Sequence, residues 1–144
     1  MDVSVKKNSP IHVNIVFRQA SRTVELNTGD AIREAGLTQT QFGILDVLYV
    51  LGDMTINRIK EKTLATSGNM TVVLKNMERD GYITRKVCPN DKRSFEFSIT
   101  ELGRQKFEEV LPKHRQIIDE VFSIYTEAER QELIRLLKKF KQFN

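Results

Sequence analysis

Between two long stretches of helical period, the chain carries one short stretch of period two. Ile83 and Val87 alternate with Thr84 and Lys86, and then Phe95, Phe97 and Ile99 alternate with Glu96 and Ser98. Alternation puts each set on one face of a strand, so these residues predict a two-stranded hairpin with PNDKRS, residues 89–94, as its loop. A lone hairpin is marginal in water and needs helices to pack on. That requirement confines the chain to a mainly α (α+β) fold with a single hairpin held between helices.

The helices are marked by their ends. Ser9-Pro10 pairs an N-cap with a proline at the first helical position, and Ile11, Val16, Phe17, Ala20 and Val24 follow at helical spacing. A first helix is expected from Pro10 to about Ala35, with a bend near Thr28-Gly29 and a glycine stop at Gly36. Thr38 and Gln41 form a capping box that opens a second helix, which carries Phe42, Leu45, Leu48 and Tyr49 and ends at Gly52. A third runs from Thr55 or Ile56 to Lys62. The fourth starts at Thr66 or Ser67 and ends at Gly81, with Met70, Val73, Leu74 and Met77 on one face. After the hairpin, Thr100 caps a fifth helix carrying Leu102, Phe107, Val110 and Leu111, where Pro112 predicts a kink or break. A second capping box, Thr126 with Glu129, opens a last helix carrying Leu133, Leu136, Leu137, Phe140 and Phe143.

The 144 residues suit about one domain, and 40% apolar content suffices for a core. Net charge is +4, but it is not spread evenly. Residues 55–94 hold nine Lys or Arg and four acids, leaving fourteen bases and fifteen acids elsewhere, so the middle is +5 and the remainder −1. A basic centre suits a polyanion. The single Cys88 cannot form an intrachain disulfide, no signal-peptide or membrane-spanning run is present, and a cytoplasmic protein is expected. His12 and His114 stand alone, so no metal site is expected, and no nucleophile elbow or glycine-rich phosphate loop suggests an enzyme.

Three helices, a hairpin and flanking terminal helices make the order of a winged helix-turn-helix. Residues 37–100 form the DNA-binding region in this reading, and residues 1–36 and 101–144 a helical dimerisation region whose apolar stripes need a partner surface. Ser67, Gly68, Asn69, Thr71, Val72, Lys75, Asn76 and Arg79 lie at the start and on the outer face of the fourth helix. They offer backbone N–H groups, hydroxyls and amides for base edges and cations for phosphates. The loop residues Asn90, Asp91, Lys92 and Arg93 suit a narrow minor groove, whose negative potential attracts Arg, with Asp91 orienting Arg93 by a short ion pair. Lys62 and Lys86 would add phosphate contacts along with Arg79.

With these residues in place the chain resembles the MarR family of bacterial transcriptional regulators. The resemblance is carried by LTQTQFGILDVL (37–48), TSGNMTVVLKNMERDGYITR (66–85), the DKR wing tip (91–93) and SITELG (98–103). It implies a homodimer with intertwined terminal helices, most often a repressor, whose two recognition helices enter successive major grooves of a pseudo-palindromic operator on double-stranded DNA. It also admits a small effector, often phenolic or otherwise aromatic, that changes the spacing of those helices. No cofactor is implied. Val72 stands where many members carry Arg, Pro112 is unusual in the fifth helix, and the first-helix cysteine of peroxide sensors is missing.

Two other readings use the same residues. The hairpin and fourth helix could bind an acidic protein surface, as a winged-helix interaction module does. Cys88 could instead make the protein a redox-responsive regulator, although a small half-buried residue is the plainer reading.

Overall fold

The computed structural model describes residues 4–63 and 69–144. Its elements are α1 (Pro10–Thr28), α2 (Asp30–Glu34), α3 (Gln39–Leu51), β1 (Met54–Thr55), α4 (Ile56–Lys62), α5 (Met70–Arg79), β2 (Ile83–Cys88), β3 (Asp91–Ile99), α6 (Glu101–Phe122) and α7 (Glu127–Leu137), then a 3-10 segment over Lys138–Phe143. The chain divides into two compact units. One is Gly29–His114; the other joins the segment up to Thr28 with Arg115–Asn144.

The Gly29–His114 unit is a winged helix. Its buried side chains include Ile32 of α2, Ile44, Leu45 and Leu48 of α3, Ile59 of α4, Leu74 and Met77 of α5, Ile83 and Phe97 of the sheet, and Phe107 and Val110 of α6. The short α2 and the first half of α6 therefore pack in this unit, although the sequence places them outside residues 37–100. The expected first helix is two elements: α1 ends at Thr28, α2 starts after Gly29, and Gly36 stops α2 at φ +78. Both capping boxes form as written, Thr38 with Gln41 and Thr126 with Glu129.

The sheet has three strands, not two, in the order β1-β3-β2, all antiparallel. Met54 pairs with Phe97 and Thr55 with Glu96, so the first edge of the wing is a two-residue strand too short to show a period. The sheet is fixed to α6 at Thr100. Its hydroxyl donates to Gly81 O at 2.6 Å and accepts from Gly103 N at 3.0 Å. At Gly103 a Cβ would lie 2.1 Å from Tyr82 O, so only glycine lets the helix approach the turn this closely.

Helix α6 runs unbroken through Pro112, so the expected kink or break is not a break. The ring is on an exposed position, where water can reach the carbonyl left without an N–H partner. The last helix also differs, ending at Leu137 and tightening into the 3-10 segment.

In the terminal unit, the ring of Phe17 of α1 packs against that of Phe140, tilted by 41° with centroids 5.8 Å apart. A groove of about 460 Å³ is lined by Phe17, Val24, Phe122, Leu133 and Leu137. Among the described residues, every buried hydrophobic side chain lies between Ala31 and Val110, so the terminal unit has none. Ile11, Ile124, Phe140 and Phe143 are each more than half exposed. No helix is long and apolar enough to cross a membrane among the described residues.

Candidate nucleic-acid interface

Helix α5 is pinned at both ends. Asn69 is its N-cap, with φ −135 and its side-chain oxygen accepting from Val72 N at 3.3 Å, so the helix begins at Met70 and not at Thr66 or Ser67. Thr66, and the candidate contacts Ser67 and Gly68, lie outside the described residues. At the other end Gly81 takes φ +83 while Tyr82 N donates to Met77 O at 3.0 Å, a glycine stop of the Schellman type. Burial of Met70, Leu74 and Met77 turns the opposite stripe outward. Thr71, Val72, Lys75 and Arg79 are exposed on it, and Asn76 is half-buried beside them. Asn69 remains exposed, but its oxygen serves the cap.

The hairpin loop is shorter than PNDKRS. Only Pro89 and Asn90 stand between the strands, and Asp91 already pairs with Cys88. The next pair is Val87 with Phe95, so Lys92, Arg93 and Ser94 are extra residues bulged out of β3. Asp91 shapes this bulge. Its two carboxylate oxygens accept from Arg93 N and the Ser94 hydroxyl, each at 2.9 Å. No side-chain ion pair joins Asp91 to Arg93 among the described residues, so the carboxylate orders the backbone instead of the guanidinium. A short Asp reaches its own chain two and three residues on more readily than a long side chain's head. The same Arg93 N–H, and then the Ser94 hydroxyl, hold the Asp91 carboxyl below the usual carboxylate range.

The hairpin's apolar pattern is only half a core. Ile83 and Phe97 are buried, while Val87 and Phe95, on the same face further out, are 48% and 42% exposed. The wing projects past the helices that would cover them.

Electrostatics divides the basic residues into two sets. Lys86 is tied to Asp53 at 2.7 Å, Arg85 to Glu78 at 3.5 Å, Arg79 to Asp80 at 3.2 Å and Arg58 to Glu61 at 3.3 Å. The Lys86 hydrogen bond lowers the Asp53 carboxyl and raises the Lys86 ammonium. Lys62, Lys75, Lys92 and Arg93 form no salt bridge among the described residues and are exposed. Within residues 55–94 these four and Lys60 are the cations without an ion pair among the described residues. Lys62 closes α4 beside a hollow of about 460 Å³ that it shares with Arg58, Asp53 and Glu96. Cys88 is buried, and burial first, then the charges of Glu96 and Asp91, push its thiol up and disfavour the reactive thiolate.

The outward stripe of α5 and the bulged wing belong to one unit, joined by the pairing of Glu78 with Arg85. In the sequence Arg85 and Glu78 stand only among the nine bases and four acids of residues 55–94, Phe95 only in the apolar row of the hairpin, and Asp53 has no role. The signal for Arg85 was present: it shares the strand parity of Ile83 and Val87, a cation in an otherwise apolar row.

Three comparisons bear on this geometry. A family model described as the MarR family matches residues 37–95. The HTH-type transcriptional regulator YkoM of Bacillus subtilis is 34% identical over 124 residues, 86% of this chain and 80% of the relative. MhqR, another HTH-type transcriptional regulator of that organism, is 33% identical over 134 residues, 90% and 92% of the two chains. Among solved structures, a MarR-like transcription regulator from Bacillus cereus superposes with a TM-score of 0.82 at 26% identity, covering 92% of this chain and 95% of the other.

Proposed function

The chain belongs to the MarR family of transcriptional regulators and binds DNA, and on that premise we propose that it acts in the cytoplasm as a homodimeric repressor on a pseudo-palindromic operator. The observation that carries this reading is the outward stripe Thr71, Val72, Lys75 and Arg79 on the same unit as the unneutralised Lys92 and Arg93. Lys75 and Arg79 approach phosphates, Thr71 and Asn76 offer polar groups to base edges, and Val72 presents an apolar surface to a thymine methyl. Asn69 caps the helix that enters the groove, with Ser67 and Gly68 at its approach. Arg93 and Lys92 enter the flanking minor groove on a bulge shaped by Asp91 and turned at Asn90. Lys62 and Lys86 add sequence-independent contacts, Lys86 after exchanging Asp53 for phosphate.

The terminal helices join the two copies, since a unit without buried apolar side chains gains a core by pairing. A small effector, phenolic or otherwise aromatic, releases the operator by changing the separation of the two α5 helices.

The test is selection of a duplex from a randomised library, followed by binding of that duplex and a scrambled one across a salt series. A specific regulator binds the selected duplex at least ~10³-fold more tightly, with a steep salt slope. Equal, weak binding to both would assign the basic face to an acidic protein surface instead.

A further inference from the structure

We propose that Arg85 is a positioning residue that braces the wing against the recognition helix, acting through Glu78 and Phe95 without touching DNA itself. The register is the starting point. Arg85 lies opposite Phe97, and Val87 opposite Phe95, so these four share a face of the hairpin with Ile83 and Ile99. Near α6 that face is core, with Ile83 1% and Phe97 7% exposed. Beyond Arg85 it has nothing to pack on.

A cation in such a row breaks the local pattern, and the broken pattern has a compensating geometry. The Arg85 guanidinium carbon is 4.8 Å from the centroid of the Phe95 ring. Its Nε is 3.5 Å from Glu78 Oε2, on the last turn of α5. One side chain thus ties a ring from the outer half of β3 to an acid of the helix that carries Lys75 and Arg79. Both contacts are partly exposed to solvent, so they add little to global stability. What they restrict is the pitch of the hairpin, and therefore where Lys92 and Arg93 are presented relative to α5.

The inference rests on the proposed wing contact, and the experiment separates the two. The full-length protein is compared with Glu78→Gln, Phe95→Leu, Arg85→Gln and Arg93→Ala, on a duplex selected by the wild-type protein and on the same duplex shortened to remove the flanking minor grooves. Glu78→Gln is the decisive variant. Removing an acid from a DNA-binding face should tighten binding electrostatically, whereas loss of a brace loosens it.

The expected result is about 3- to 10-fold weaker binding of the full duplex by all four variants, near wild-type binding of the shortened one, and unchanged thermal melting. Combining Arg85→Gln with Arg93→Ala should then cost less than the two separately. Normal or tighter binding by Glu78→Gln while Arg93→Ala is impaired overturns the brace and leaves the wing contact standing. An Arg93→Ala protein that binds normally overturns the wing contact and the brace with it.

Discussion

Two exposed side chains, Val72 on α5 and Asp91 on the wing, carry different parts of the proposed DNA reading. Val72 is 48% exposed on the outer stripe of α5, and a branched apolar group there can accept a thymine methyl but no guanine edge. Replacing Val72→Arg should move the half-site preference towards guanine at one position by about 1–3 kcal/mol, read by repeating the duplex selection with the variant. An unchanged selected sequence would place Val72 away from the bases. Asp91 acts through the backbone. Its carboxyl is held low by Arg93 N–H and the Ser94 hydroxyl, so the native bulge favours the charged form. A depressed folded pKa gives a contribution present above the unfolded value, about 3.9, and lost as pH falls through the folded one. Wing order should therefore survive mild acid and fail only below the usual carboxylate range. The Arg93 amide resonance in an NMR titration reports it, and a midpoint at or above the ordinary Asp value would show that the turn does not stabilise the carboxylate. At this scale the sequence was partly readable. It identified Asp91, Lys92 and Arg93 as a group, but the ion pair it suggested is a backbone turn, because the nearest donor to a short carboxylate is the chain itself.

At the scale of elements, the readable signals were those with local chemistry. Capping boxes, stop glycines and the switch in period gave α3, α4 and β2 close to their observed limits, and with them the start of α7 and the end of β3. What escaped was set by packing between elements: the two-residue β1, the separate α2, and a helix that passes through Pro112. The start of α5 escaped for another reason, since Ser67 and Asn69 are both good caps and only geometry chooses between them. Gly103 is a packing feature of the same kind. In sequence it is an unremarked glycine inside a helix, where Ala would ordinarily be better by about 1 kcal/mol. In the fold, a Cβ there meets Tyr82 O at 2.1 Å, a backbone atom already fixed by its hydrogen bond from Thr100 N at 3.0 Å. Gly103→Ala should thus reverse the helix-propensity gain and destabilise by about 1–3 kcal/mol, as overpacking does. Urea denaturation measures it, and a variant as stable as the parent would mean that α6 can shift away from the turn without loss.

The whole molecule raises a question of surface. A chain of this size should bury most of its large apolar side chains, yet Ile11, Val13, Leu26, Ile124, Ile134 and Phe143 are all more than half exposed, and all belong to the terminal unit. So many exposed large apolar side chains in a unit without a buried apolar core among its described residues point to an interface. The terminal unit carries ten Lys or Arg and seven acids, so its apolar surface, not its charge, favours a second copy as the occupant. If pairing supplies the missing core, folding and association are one transition, and the melting temperature should rise with protein concentration. Dilution from ~100 μM to ~1 μM would lower the melting temperature by several degrees, since the linkage is logarithmic in concentration. Replacing Ile134→Glu would bury a charge at the joint, and sedimentation should then find a monomer with weakened operator binding, because one wing and one α5 reach only a half-site. A melting temperature independent of concentration, with a monomeric parent in sedimentation, would refute the pairing and leave the apolar terminal helices to cover each other.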